Sequence, residues 1–445
     1  MVQLPTAVVG DAYTSDFALS VLEDLVEIEN RMAGQEGERE GAQVIKAAFE
    51  DADLRDASIT EFEIPGWWRG SSALGLPDRG KRYDGSHQVI ALPGTPAADV
   101  SAPIVDLGYG LPEDFEEADL EGKLAMASSD VPDDYDRWIH RGEKYGMAVN
   151  HGAAGFIFRN HIEGCLPPTG SIGGDGPGAI PAIGLSKELG DRLARYADDG
   201  EFDAHLDIDC RNEDTHSRNV EAVIGPDTDE EVLVTAHVDA HDIAEGANDN
   251  GTGSALVCEV GRLLKQVEDD LETRVRVMTF GAEEVGLYGA YEWADTHDLE
   301  NMKCIINIDG AGYSRNLEVY THTFDPIGEA FKATSDDLGI PIVVDDGIRP
   351  HSDHWPFVQK GAAGAQARSS SEGSGRGWGH THGDTLDKLD IRDIRELAVG
   401  LADGALKLTT DAYSVEHKDP QAIAEAIEPE AEEGMRATDS WPFDA

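Results

Sequence analysis

The chain has 445 residues, 40% hydrophobic and 7% aromatic, which is enough for two or three domains with full cores. Asp and Glu number 88 against 35 Lys and Arg, a net charge of -53, which counts against nucleic acid or an anionic membrane as partner. The acids are spread between apolar segments rather than gathered in one tail. That pattern implies an acid-coated fold suited to concentrated salt, in the cytoplasm of a halophile. The opening residues lack the basic flank and long apolar run of a secretory signal, and no run approaches a membrane span. Cys165, Cys210, Cys258 and Cys304 lie far apart with no C-x-x-C pair, so they read as reduced, mostly buried thiols. A Cys165–Cys210 bridge is left open.

Helical spacing of apolar residues predicts helices over Phe17 to Glu29 and Glu38 to Ala52, joined by a loop around Arg31-Met32-Ala33-Gly34. A strand near Ala57 to Ile64 follows, then irregular sequence with Trp67 and Trp68. From about Ala91 to Cys210, short strands alternate with helices, and a glycine- and proline-rich loop runs from Pro167 to Pro181. His140, His151 and His161 have no ligand spacing and read as surface or core residues. From Arg218 onward, apolar strands (Asn219 to Gly225, Val232 to Ala236, Arg274 to Phe280, Cys304 to Ile308, Leu317 to Tyr320, Pro341 to Val344, Ala363 to Arg368) alternate with helices. Such alternation means a largely parallel sheet covered on both faces. From about Val415 the chain is acidic and partly helical over Pro420 to Glu433, and disorder is expected only near this end.

In an open α/β sheet the active crevice lies beyond the carboxyl ends of the strands. His237 and Asp239, Glu283 and Glu284, and Asp309 each follow a predicted strand there, Asp249 precedes a helix, and His380 lies in a loop after the strand ending at Arg368. Each is weak alone. A His-x-Asp triplet occurs by chance, and a Glu pair in so acidic a chain is most often a solvated helix start. The conjunction, in order and at successive strand ends, resists that explanation. Two histidines and several carboxylates suit a pair of N/O-loving divalent ions, a bridging carboxylate can serve both, and a further carboxylate can move the proton.

His237-Val238-Asp239, Gly246 to Gly253, Glu283 to Gly289, Asn307-Ile308-Asp309, Ser352 to Phe357 and His380-Thr381-x-x-Asp384-Thr385 together resemble the di-zinc aminopeptidase family. These are the co-catalytic zinc peptidases of clan MH, which also contain leucyl aminopeptidases, glutamate carboxypeptidases and glutaminyl cyclases. Glu121-Gly122-Lys123, Gly152 to Gly155 and Ile180 to Ile183 resemble an inserted protease-associated domain. The resemblance implies a mixed, mostly parallel α/β sheet sandwiched by helices, with a small α+β insert. The implied division is an N-terminal part of the peptidase domain at 1–90, the insert at 91–210, the catalytic part at 211–414 and an acidic extension at 415–445.

The resemblance also implies two Zn2+ ions, with Co2+ or Mn2+ as alternatives. His237 and Asp309 would hold one, Glu284 and His380 the other, and Asp249 would bridge them. Glu283 would be the general base and acid, and Asp239 would orient His237. A cis peptide is implied after Asp249. His382 is a rival for His380, and His241, which matches no family ligand, is expected on the loop rim. The implied activity is removal of N-terminal residues from peptides. A carboxypeptidase or dipeptidase is the alternative, with Arg349, Arg368 and Arg376 as carboxylate-binding candidates. A glutaminyl cyclase is disfavoured by the full bridging set. A non-catalytic receptor-like module is the reading from another class, but it should have lost ligands or base, and none is missing. Oligomeric state is not readable.

Overall fold

The computed structural model describes residues 2–135, 137–174, 176–370, 377–438 and 440–444. Its strands are, in chain order, β1 (Arg55–Leu76), β2 (Lys81–Tyr83), β3 (Val89–Ala91), β4 (Ala98–Asp106), β5 (Leu124–Ser128), β6 (Gly155–Arg159) and β7 (Ala182–Leu185). They continue as β8 (Asp203–Ile224), β9 (Glu231–His237), β10 (Arg274–Phe280), β11 (Met302–Ile308), β12 (Leu317–Tyr320), β13 (Ile342–Asp345) and β14 (Gly364–Ser369). Lateral order is β13-β12-β14-β11-β9-β10-β8, and β8 passes the sheet on to β4-β5-β6-β7-β3. The central strands β14, β11, β9 and β10 are mutually parallel, while β8 joins β10 antiparallel. All seven residues of β9 and of β11 are buried, as a strand with helices on both faces must be.

The helix Thr252–Lys265 buries nearly its whole surface, and Ile391–Leu408 packs beside it. With the helices Phe17–Val26 and Glu36–Asp51 they close one face of the central sheet around Leu22, Phe49, Val234, Leu263 and Leu401. The strands β4 to β7 carry separate cores on their two faces, one around Leu124, Ile157 and Leu206, the other around Phe115, Ala125 and Phe156.

Two expectations are corrected. The irregular stretch with Trp67 and Trp68 is strand, because β1 pairs antiparallel with β8 along most of their length, Trp67 opposite Asn212 and Trp68 opposite Arg211. Cross-strand hydrogen bonding overrides the local break at Pro65-Gly66, and the Arg211 guanidinium stacks 4.0 Å over the Trp68 ring. The C-terminal segment is ordered among its described residues. It forms helices Pro420–Ala424 and Pro429–Ala437, and Ile423, Ile427 and Met435 join the main core. Cys165 and Cys210 are both free, and the Cys210 thiol donates to the Thr95 carbonyl at 3.2 Å. Among the described residues no helix is long and apolar enough to cross a membrane.

Candidate metal centre

The sheet delivers its polar residues to one crevice. His237 is the last residue of β9, Asp309 directly follows β11, and Glu283 and Glu284 follow β10 through a turn at Ala282, whose φ is +59°. Asp249 sits just ahead of the helix Thr252–Lys265, and the Asp249–Asn250 peptide is cis. Beyond β14 the chain returns to place His380, whose carbonyl accepts the Thr169 N–H at 2.8 Å from the glycine- and proline-rich loop.

Within the crevice the side chains form two clusters with metal-ligating atoms in reach of one another: His237, Glu283 and Asp309 in one, His241, Glu284 and His380 in the other. Asp249 lies between them. Its Oδ1 is 3.4 Å from His237 Nε2 and its Oδ2 is 3.2 Å from His380 Nε2. His237 Nε2 is also 3.9 Å from Asp309 Oδ1 and 4.0 Å from Glu283 Oε2, while His380 Nε2 is 3.1 Å from Glu284 Oε2. His237 Nε2 and Glu284 Oε1 are buried without a hydrogen-bond partner. Orphaned buried polar atoms of this kind need an explanation, and a cation at their focus supplies one.

The charge balance points the same way. Burial pushes the Glu283 carboxyl well above its usual range; His237 opposes this, and Asp309, Glu284 and Asp353 add to it. Asp353 is driven up likewise, by burial and by Asp239, Asp309 and Glu284. Burial alone would lower the His237 imidazole, yet Glu283, Asp239, Asp249 and Asp309 outweigh it and raise it well above the ordinary value. Burial would raise Glu284, but His241 and His380 hold it below the usual carboxylate range. More carboxylates converge here than can be ionised together without added positive charge. The two clusters of His, Glu and Asp ligands are consistent with a di-zinc site.

All seven residues singled out in the sequence therefore meet in one crevice. His382 does not: its Nδ1 and Nε2 point to the Ile243 and Ser86 carbonyls, at 2.7 and 3.0 Å. Arg376 lies outside the described residues. His237 Nδ1 is nearer the Asp239 carbonyl (3.0 Å) than its carboxylate (3.5 Å). The carboxylate instead accepts the Glu283 and Glu284 N–H groups at 3.1 and 3.2 Å, fixing the turn that presents both glutamates. His241 is corrected outright. It is not on the rim but buried at 5% exposure, because the loop after β9 folds its ring back beside His380.

Residues that sequence reasoning left without a role complete the frame. The buried Arg31 guanidinium donates to the Leu25, Val238, Glu245 and Gly246 carbonyls at 2.7 to 3.2 Å, tying the loop after β9 to the N-terminal helices. Asp384 accepts the Asn248 and Asp249 N–H groups. Asp353 is buried with neither carboxylate oxygen hydrogen-bonded among the described residues, and its charge bears on Glu283. Only its place in the Ser352 to Phe357 block signals Asp353, and nothing in spacing signals Arg31.

Residues 219–403 match the model of peptidase family M28, and residues 100–193 match the PA domain. The chain is 28% identical over 401 residues to aminopeptidase YwaD of Bacillus subtilis, covering 86% of this chain and 82% of that protein. It is 25% identical over 395 residues to carboxypeptidase Q of Rattus norvegicus, covering 83% and 80%. The solved structure of a zinc aminopeptidase from Bacillus subtilis superposes with a TM-score of 0.69 at 25% identity, over 90% of this chain and 97% of that one. The matches and the paired ligand clusters agree: residues 219–403 are similar to peptidase family M28 and residues 100–193 to the PA domain, and the two clusters are those of a metallopeptidase.

Proposed function

We propose that this centre removes N-terminal residues from peptides, with His237 and Asp309 holding one zinc ion, Glu284 and His380 the other, and Asp249 bridging. The carrying observation is Asp249, whose two oxygens face the histidines of the two clusters separately. Two divalent ions so placed would acidify a shared water and polarise the scissile carbonyl. Glu283 takes the proton of that water and returns it to the leaving nitrogen. Asp239 keeps Glu283 and Glu284 in place through their amides. The anionic crevice favours a substrate's N-terminal ammonium.

Similarity to carboxypeptidase Q favours a second reading, removal from the carboxyl end. Against it, Arg349 is engaged with Tyr320, its guanidinium 4.5 Å over the ring. We take 1–90 and 211–414 as peptidase domain, 91–210 as insert and 415–445 as extension. The acidic composition supports a salt-rich cytoplasm as the working environment.

Hydrolysis of an aminoacyl p-nitroanilide tests the reading. It should vanish on chelation, return with zinc, and fall by about 10²- to 10⁴-fold in Glu283→Gln with the metal retained. Turnover surviving both chelator and substitution would refute it.

A further inference from the structure

We propose that His241 is itself a metal ligand, so that the ion held by Glu284 and His380 is bound by two imidazoles rather than one. The inference rests on the two-metal reading above and extends it by a residue which that ligand set omits.

His241 Nε2 lies 3.0 Å from Glu284 Oε2, and His380 Nε2 lies 3.1 Å from the same oxygen. The two rings stand nearly perpendicular, centroids 4.4 Å apart. A tetrahedral zinc ion with bonds of about 2.0–2.1 Å separates its ligand atoms by about 3.3 Å. The two contacts just given, with the 3.2 Å from His380 Nε2 to Asp249 Oδ2, match three edges of one such figure.

The plainer alternative is a buried histidine hydrogen-bonded to Glu284. It fails on direction. Neither ring nitrogen of His241 has a hydrogen-bond partner, although both are buried, so the 3.0 Å approach lacks the alignment of an N–H···O bond. Two ligand atoms aimed at a common third point give that combination of closeness and misalignment. A small cavity bounded by His241, Asp249, Glu284, His380 and Asp384 lies at that point. The next residue is clamped as well. The Arg69 guanidinium grips the Asp242 carboxylate at 2.7 and 2.9 Å, which fixes the turn carrying His241.

The consequence is an unequal pair. His241, His380, Glu284 and Asp249 would supply four protein ligands to one ion, which would be the more tightly held and would take the shared water as a fifth ligand. His237, Asp309 and Asp249 supply three to the other and leave a position for water and substrate. The ion beside His237 should therefore be the first lost to a chelator.

The test uses the full-length protein with 15N-labelled histidine, loaded with 113Cd. Nitrogen–cadmium couplings should appear on three rings, assigned to His237, His241 and His380 by single substitutions. In parallel, zinc affinity is measured by chelator competition for His241→Gln, His380→Gln and His237→Gln, with circular dichroism verifying the fold of each. His241→Gln should weaken one zinc by about 10- to 100-fold or more and spare the other. Couplings on His237 and His380 alone, with wild-type zinc affinity in His241→Gln, would overturn the inference and leave the two-metal reading standing. Unchanged affinity in His380→Gln and His237→Gln would overturn that reading itself. Should His241→Gln fail to fold, the coupling pattern of the wild-type protein still decides.

Discussion

Asp384 holds the backbone of Asp249, its Oδ2 accepting the Asp249 N–H at 3.0 Å while its Oδ1 takes the preceding amide at 2.9 Å. The carboxylate proposed to bridge is thus aimed by a second carboxylate that need not touch an ion. Asp384→Ala should weaken zinc binding by about 10- to 100-fold, with Asp384→Asn losing less because one acceptor survives. Chelator competition measures both, and an Asp384→Ala protein with wild-type affinity would remove Asp384 from the account.

Arg31 carries the loop after β9. Its guanidinium donates to four carbonyls, three of them buried, a fan that a lysine ammonium cannot reproduce. Arg31→Lys should cost roughly 2–3 kcal/mol in urea unfolding, through acceptors left unsatisfied. A midpoint within error of wild type would show that these bonds add nothing net.

Glu38 makes stability depend on pH. It is fully buried between Ser217, the Gly34 N–H and Arg218, and burial, more than its neighbour Asp239, pushes its carboxyl from 4.5 up to about 8. Between those values the folded chain keeps a proton that the unfolded chain releases. The contribution is therefore present below about pH 4.5 and is lost as the pH rises toward 8. Glu38→Gln should flatten the fall in melting temperature across that window. Parallel profiles for the two proteins would mean that Arg218 keeps Glu38 ionised throughout.

The acid coat sets the salt response. Raising potassium chloride from about 0.1 M to about 1 M shortens the screening length from about 10 Å to about 3 Å, so repulsion within a chain of net charge -53 should fall steeply. Melting temperature should climb across that range. A flat or falling curve would remove the case for a salt-rich setting.

The centre was legible in the sequence where chemistry and topology coincide. His237, Asp249, Glu283, Glu284 and Asp309 sit at or just past strand ends or ahead of a helix, and a parallel sheet carries such positions to one crevice, which His380 joins from the loop after β14. What was not legible depends on contacts distant in sequence. Trp67 and Trp68 follow Pro65-Gly66, a local breaker, and only pairing with residues near 211 makes them strand. Pro65 is tolerated there because β1 bonds to β8 along one side. His241 was misplaced because only the return of the loop toward Glu284 buries it. Helix over Pro420 to Glu433 was expected but not its docking, because Ile423, Ile427 and Met435 are sparse among charges and their partners lie far back in the chain.

The most direct test of the central claim is the mass ladder left by an unblocked peptide of mixed sequence, incubated with the zinc-loaded enzyme in molar potassium chloride. Residues should be lost successively from the amino end, with no shortening of the acetylated peptide and none of either after chelation. Shortening from the carboxyl end, or of the acetylated peptide at an equal rate, would contradict it.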